Sequence, residues 1–91
     1  MRTETNPSGS VAQQIRDFIR REFLFGREDV ALSDEQPLIQ DGVVDSVGVL
    51  QLVGFLERQF DVSIQPDDLV LKNFASISAM ADLVSGKARR D

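Results

Sequence analysis

The chain contains no cysteine, no histidine, no tryptophan and no tyrosine among its 91 residues. The absence of cysteine excludes disulfide bonds, thiolate metal ligands and a thiol nucleophile. The absence of histidine removes the most frequent general base and the most frequent metal ligand of proteins. Any thiol chemistry in which this protein takes part must therefore use a sulfur atom from another molecule.

The sequence also lacks long hydrophobic runs. No apolar stretch approaches the roughly 18 residues that a membrane-spanning helix needs. The first residues, MRTETNPSGS, contain no apolar segment of the kind found in a secretory signal. These absences predict a cytoplasmic protein without a membrane segment, and the length provides one small domain, which composition predicts to be a monomer.

The formal net charge of -5 is concentrated in the middle of the chain. Residues 31–70 contain eight acidic side chains and one basic side chain, Arg58, whereas the flanking segments are neutral or slightly basic. Such an acidic field repels the phosphates of nucleic acids, so nucleic-acid binding is not expected. The charge either steers a basic partner surface toward this region or only keeps a small domain soluble.

Three amphipathic segments predict the main helices of an all-α domain. Ser10 and Ser76 are expected to cap the first and last helices, and Gly26 and Gly86 to end them. A fourth, short helix is expected to begin at Pro66. The architecture predicted is a small antiparallel bundle of three main helices plus one short helix. Its apolar stripes comprise Val11, Ile15, Phe18, Ile19 and Phe23; Val49, Leu52, Val53, Leu56 and Phe60; and Ile77, Met80, Ala81 and Val84.

These boundaries divide the chain into a helical domain, residues 10–86, and two tails. Residues 1–9 are polar and rich in breakers, which predicts a disordered tail, and residues 87–91 form a charged tail. Polar residues of the first helix, Arg16 among them, are expected to face solvent. Phe74 is expected to plug the core from a linker before the last helix.

The connection from Arg27 to Val44 is long for a compact domain, which indicates functional use or small structure of its own. A single helical turn is expected at Ser33-Asp34-Glu35 and a tight turn at Asp41-Gly42. The apolar residues expected to pin this loop across the bundle are Leu32, Leu38, Ile39, Val43 and Val44.

The stretch DGVVDSVGVLQLVGFLERQF, Asp41 to Phe60, leads from an acidic turn into the second helix, which is expected to begin at Asp45 or Ser46. Ser46 lies off the apolar stripe, at the N-terminal end of the helix. There the helix dipole is positive and backbone N–H groups lack helical acceptors. A phosphate attached to the Ser46 hydroxyl would therefore be stabilised electrostatically.

Asp45-Ser46-Val47 before an apolar helix, with Glu57 and Phe60 near its end and Ile64 beyond, resembles the acyl carrier protein superfamily over roughly residues 11–84. In that superfamily the serine carries 4′-phosphopantetheine, whose thiol forms thioesters with acyl or aminoacyl groups. The resemblance implies an acyl-carrier-like fold and a carrier that has no catalytic residues and no resident metal. Gly48, two residues after the serine, is shared with free-standing D-alanyl carriers and with small bacterial carriers served by adenylate-forming ligases.

The resemblance also assigns roles around Ser46, the implied attachment residue. A phosphopantetheinyl transferase would transfer the group from coenzyme A with Mg2+, and Asp45 would help to hold this metal ion, or act as a helix N-cap, or do both. Val47 and Leu50 would form an apolar patch that partners and the arm touch; the alternative is partial burial of both against the long loop. The residues expected to dock partners are Gly48, Leu50 and Gln51.

The two glycines of the second helix each cost about 1 kcal/mol relative to alanine in a helix interior. At Gly48 the absent side chain either leaves room for the arm or for a docking partner, or it is simply tolerated in the first turn. Gly54 is expected to permit close packing of helices.

The helix after Ser46 departs from the fatty-acid branch of the superfamily, in which acidic residues dock basic enzymes. Here the first two turns present Gly48 and Gln51, and Arg58 follows Glu57. This difference favours a dedicated adenylate-forming acyl or aminoacyl ligase, followed by a downstream acyl-accepting enzyme, over fatty-acid or polyketide synthesis.

Two readings from other functional classes compete with a carrier. The first is a helical protein-interaction module that keeps the fold and works without modification. The second is an enzyme in which the carboxylates of Asp41 and Asp45 act as acid and base. Four residues apart in a turn without an evident pocket, these carboxylates are expected to be solvated.

Overall fold

The computed structural model describes residues 10–26 and 31–89, with the side chains of residues 88 and 89 excepted. Helix α1 comprises Val11–Phe23, α2 comprises Ser46–Phe60 and α3 comprises Ile77–Arg89. Two short 3₁₀ helices, Pro66–Asp68 and Leu71–Phe74, lie between α2 and α3. The described part of the chain contains no strand, which confirms the all-α prediction. None of the helices within it has the length and apolar character needed to cross a bilayer.

Helix α1 begins where the sequence predicts. The Ser10 hydroxyl accepts a hydrogen bond from the backbone N–H of Gln13 at 3.0 Å, and thereby satisfies one of the orphan donors of the first turn. The predicted end at Gly26 is wrong, because the helix ends at Phe23. The chain then turns through two residues with positive φ, Phe25 at 53° and Gly26 at 80°. The core face of α1 contains Ile15, Phe18 and Ile19, as predicted.

Helix α2 packs its buried face against α1 through an aromatic pair. Phe18 and Phe55 stack with ring centroids 4.0 Å apart and an interplanar angle of 16°. The predicted stripe omits Phe55, which is buried together with Leu52 and Leu56. The helix ends at Phe60, and Asp61 follows it in the left-handed conformation with φ 55°.

The segment between α2 and α3 differs from the single short helix that the sequence predicts. Pro66 occupies the first position of a 3₁₀ helix, as expected, but a second 3₁₀ helix then carries Phe74, which was predicted to lie in a linker. Phe74 is 1% exposed, so the prediction that it plugs the core is confirmed. The side chain of Asp68 accepts a hydrogen bond from the Gln65 N–H at 2.8 Å and also pairs with Lys87 of α3.

Helix α3 begins at the predicted cap, with the Ser76 hydroxyl accepting from the Ala79 N–H at 3.1 Å. Its buried residues are Ile77, Met80 and Val84. The predicted stop at Gly86 is wrong, since the helix continues to Arg89. A glycine inside a helix costs only about 1 kcal/mol, and the ion pair between Lys87 and Asp68 holds the turn that follows it.

The loop before α2 is attached by hydrogen bonds to α1 and to α3. Arg16 of α1, predicted to face solvent, donates from Nε to the carbonyl of Leu32 at 3.0 Å and pairs with the carboxylate of Asp34. The backbone carbonyl of Asp34 in turn accepts from the N–H of Ser78 in α3 at 2.9 Å. Only a turn forms at Asp34 and Glu35, so the expected helical turn is absent. The buried loop residues are Leu32, Leu38 and Val44.

Candidate functional site

Ser46 is the first residue of α2, and Asp45 fixes the turn that it begins. The Asp45 backbone is extended, and its Oδ1 accepts a hydrogen bond from the Gly48 N–H at 2.8 Å. Its carbonyl accepts the first helical bond, from the Val49 N–H, at 2.9 Å. Asp45 is therefore the N-cap of α2, one of the two roles expected for it.

Residues 38–44, here called the loop root, lead into Asp45 and are held by backbone hydrogen bonds. The carbonyl of Leu38 accepts from the N–H groups of Val43 and Val44, at 3.0 and 3.2 Å. The N–H of Leu38 donates to the carbonyl of Ala75 at 2.8 Å, which attaches this root to the segment before α3. Leu38 and Val44 are both buried. The position of Ser46 is therefore set by residues two to eight places earlier in the chain.

The Ser46 side chain is exposed at the N-terminal end of this 15-residue helix. The Asp45 side chain satisfies the N–H of Gly48, but within the described residues no acceptor meets the N–H groups of Ser46 and Val47. Two unpaired donors and the positive end of the helix dipole lie beside an accessible hydroxyl. These features fit a phosphodiester on the serine oxygen.

The residues expected to form a docking patch divide into exposed and buried groups. Val47 and Leu50 are each 66% exposed, and Gln51 is exposed as well. Both side chains thus keep most of their surface in solvent, and their role as a docking patch stays a prediction. Gly48 is buried, and a Cβ at this position would lie 2.8 Å from Cε1 of Phe23. The packing of Phe23 thus accounts for the absent side chain, and a docking role for Gly48 stays a prediction.

The acidic residues around Ser46 do not assemble into a catalytic or metal site. Asp41 and Asp45 are both exposed, and the Asp41 carboxylate accepts from Gln36 Nε2 at 3.1 Å. No group of three histidine, cysteine, aspartate or glutamate side chains suited to hold a metal ion occurs among the residues that the structure describes. The Asp45 carboxylate in this turn is engaged as the helix cap, by accepting from the Gly48 N–H.

Two cavities lined by described residues differ in position and polarity. The first, of about 380 Å³, is almost entirely apolar and lies between the loop and the second 3₁₀ helix. Its lining residues are Pro37, Ile39, Gln40, Leu71, Lys72 and Ala75. The second, here called the α1–α2 groove, measures about 410 Å³ and has a largely polar lining. It is formed by Phe18, Arg21 and Glu22 of α1 and by Leu50, Gln51, Gly54 and Arg58 of α2.

Residues 13–84 match the model of the phosphopantetheine attachment site family, so the match includes Ser46 and both helices that form the groove. The chain belongs to the phosphopantetheine attachment family. This carrier is 36% identical over 66 residues to the probable acyl carrier protein PigG of Serratia sp. (strain ATCC 39006). The aligned region comprises 72% of the carrier and 75% of that relative.

A solved structure named "Crystal structure of FAD-dependent dehydrogenase" contains a chain with the same fold. The TM-score is 0.68 and the identity 26%, over 77% of the carrier and 97% of that chain. Family membership gives the biochemical class: an acyl carrier protein that uses covalently attached 4′-phosphopantetheine and is not itself an enzyme. A carrier of this kind interacts with a phosphopantetheinyl transferase and with enzymes that handle its acyl group.

The residues near the candidate site whose contacts sequence reasoning missed lie on α1. Phe23 appeared only as the last member of an apolar stripe, and its contact with Gly48 depends on how α1 crosses α2. Arg21 was assigned to the solvent face, yet it lines the α1–α2 groove with Arg58. The sequence contained one signal of the groove, the glycine at position 54, which was interpreted as a packing device.

Proposed function

We propose that Ser46 is the attachment residue for 4′-phosphopantetheine, and that the carrier moves a thioester-bound acyl or aminoacyl group from a loading ligase to a downstream enzyme in a biosynthetic pathway. The observation that carries this proposal is the exposed Ser46 hydroxyl at the N-terminus of α2. The Asp45 cap beside it and two unpaired backbone N–H groups support a phosphate at this position. The arm supplies the thiol that the sequence lacks.

The loading partner in this proposal is an adenylate-forming ligase for an amino acid or a small acid. Its support is the surface chemistry of α2 after the serine, where Val47, Leu50 and Gln51 are exposed and uncharged. An apolar contact area of this kind suits a dedicated partner better than a partner that recognises many acidic carriers by charge. Coenzyme A and ATP are cytoplasmic substrates, so the cytoplasm is the location that goes with this proposal.

The downstream partner in this proposal is a flavin enzyme that oxidises the tethered group. The solved structure with the carrier fold is named for a FAD-dependent dehydrogenase, and the chain that matches is covered over 97% of its length. The matched chain is therefore similar in size to this carrier, and the structure that contains it is named for a flavin enzyme. The carrier in this role would hold the acyl group as a thioester on its arm while the partner enzyme oxidises it.

The attachment step is tested by incubating the purified protein with coenzyme A, Mg2+ and a promiscuous phosphopantetheinyl transferase. We expect the mass of one arm to be added, and peptide mapping to locate it on Ser46. The matched control is Ser46→Ala, which keeps the helix and removes the oxygen. Addition to another residue, or no addition, would contradict the proposal, and function of Ser46→Ala in the cell would favour an unmodified interaction module.

The cargo is tested with the arm in place. Candidate ligases are assayed for thioester formation on the holo-carrier against a panel of amino acids, small acids and fatty acids. We expect loading by an amino acid or small acid. Loading only by long fatty acids, or by malonyl groups from an acyltransferase, would instead indicate fatty-acid or polyketide synthesis.

A further inference from the structure

The α1–α2 groove begins one helical turn from the attachment residue. Ser46, Leu50, Gly54 and Arg58 follow one another at intervals of four residues, so they form a single continuous row along the surface of α2. Three of the four line the groove. With a rise of about 1.5 Å per residue, the row extends about 18 Å from Ser46 to Arg58. A flexible chain attached at Ser46 would meet these residues in order.

Gly54 lines this groove and, having no side chain, leaves the α2 backbone accessible there. A Cβ at position 54 would meet only the guanidinium Nη1 of Arg58, at 3.2 Å, so no other helix requires a glycine there. The prediction that Gly54 permits close helix packing is therefore wrong. A mid-helix glycine destabilises a helix relative to alanine, and the absent side chain here leaves the α2 backbone accessible from outside.

The far end of the groove offers hydrogen-bond donors. Arg58 is exposed and makes no hydrogen bond or ion pair within the described part of the chain. Arg21 lies with its guanidinium carbon 5.5 Å from the ring centre of Phe18, and its Nε donates to the Glu22 carboxylate at 3.0 Å. Two cations and one anion therefore leave this part of an otherwise acidic surface slightly basic.

We propose that the phosphopantetheine arm of this carrier rests in the α1–α2 groove, an inference that depends on attachment at Ser46. The chemistry of the arm matches the row in order. Its two methyl groups lie close to the phosphate and would contact Leu50. Its two amide groups follow and would pass over Gly54, where their carbonyl oxygens would accept from the guanidinium of Arg58, which reaches back to this turn. The groove volume of about 410 Å³ falls within the range of roughly 300–1,000 Å³ typical of small-ligand sites.

The apolar cavity beside Leu71 is the competing place for the arm. Its lining exposes little polar surface, with Gln40 and Lys72 as the polar residues among the six that form it, so the two amide groups of the arm would find fewer hydrogen-bond partners there than in water. Burial of an amide without a compensating hydrogen bond is unfavourable in proteins. The arm, as distinct from an apolar cargo, is therefore better matched to the α1–α2 groove.

The test compares the apo-protein with the holo-protein by NMR, after conversion with coenzyme A and a transferase. We expect amide shifts at Leu50, Gln51 and Gly54, a shift of the Arg58 Nε resonance, and cross-peaks between the arm methyls and Leu50. Changes confined to Asp45, Ser46 and Val47, or centred on Ile39 and Leu71, would overturn the inference. Failure to add the arm would instead refute the attachment at Ser46, so the two failures are distinguishable.

Two variants of groove residues and one control variant test whether the contact between the arm and Leu50 depends on the groove. Gly54→Leu fills the floor of the groove with a strong helix former and should abolish the cross-peaks between the arm and Leu50. Arg58→Gln should reduce their intensity at least twofold. Lys72→Gln, in the wall of the apolar cavity, should leave them unchanged. Arm–Leu50 cross-peaks that survive in Gly54→Leu would show that this contact does not require the groove, and would overturn the inference.

Discussion

Phe23, the last residue of α1, packs its ring edge against the backbone of Gly48 in the first turn of α2. A Cβ at Gly48 would lie 2.8 Å from Cε1 and 3.2 Å from Cζ of Phe23, and 3.1 Å from a methyl group of Val44. The turn that begins at Ser46 is therefore positioned by α1 as well as by its own cap.

The two glycines of α2 should respond oppositely to alanine. Gly48→Ala forces the Phe23 ring out of its position and should lower the free energy of unfolding by about 1 kcal/mol. Gly54→Ala meets only the movable end of Arg58, so it should raise that free energy by about 0.5–1 kcal/mol. Urea unfolding measures both, and a stabilised Gly48→Ala variant would show that Phe23 yields without cost.

Substitutions at Asp45 should separate its capping role from a role in modification. Asp45→Ala removes the acceptor of the Gly48 N–H and should cost about 1 kcal/mol of stability. Asp45→Asn keeps an acceptor oxygen and should cost much less. Because the amide has no charge to hold Mg2+, we expect Asp45→Asn to slow phosphopantetheinylation, measured as the rate of mass addition. An unchanged rate in this folded variant would assign Asp45 to capping alone.

Arg16 should contribute more to stability than its charged neighbours on α1. Its guanidinium joins the carbonyl of Leu32, the Asp34 carboxylate and Gln13, and its side chain is only 20% exposed. Arg16→Ala should cost about 1.5–3 kcal/mol, the value of a hydrogen bond to a charged group.

The matched control for this prediction is Arg21→Ala, since the Arg21 side chain is 65% exposed. We expect its effect on chemical denaturation to stay within about 0.5 kcal/mol. Equal effects of the two substitutions would mean that the loop does not depend on Arg16.

The ion pair between Lys87 and Asp68 should tie the last turns of α3 to the first 3₁₀ helix. Both side chains are mostly buried, at 17% and 22% exposure. Lys87→Met keeps the apolar stem, and Asp68→Asn keeps an acceptor for the Gln65 N–H, so each removes mainly the charge interaction. A double-mutant cycle should give a coupling energy of at least 0.5 kcal/mol, and additive effects would exclude the tie.

Much of the fold could be predicted because it depends on local patterns. The caps at Ser10 and Ser76 and the apolar faces of the three main helices follow from hydrogen-bonding residues and helical spacing. The position of Ser46 at the start of α2 follows from the same reasoning. These features are decided within a few residues of the chain.

Features that depend on distant residues could not be predicted. Gly86 reads locally as a stop, but α3 continues past it, and Lys87 pairs there with Asp68, nineteen residues earlier. The polarity of Arg16 indicates solvent, yet its partners Leu32 and Asp34 come from the next loop. The α1–α2 groove is formed by residues of two helices, so the role of Gly54 in it could not be predicted from the sequence around Gly54 alone.

The bond from the Leu38 N–H to the Ala75 carbonyl has a mechanical consequence for cargo delivery. It holds the root of the loop on the chain that enters α3, while Phe23 holds the following turn from the side of α1. The start of α2, which carries Ser46, is therefore fixed from two directions. A thioester attached there would move by rotation of the phosphopantetheine arm about Ser46. The length of the arm, rather than bending of the bundle, would therefore set how far apart the active sites of two partner enzymes can lie.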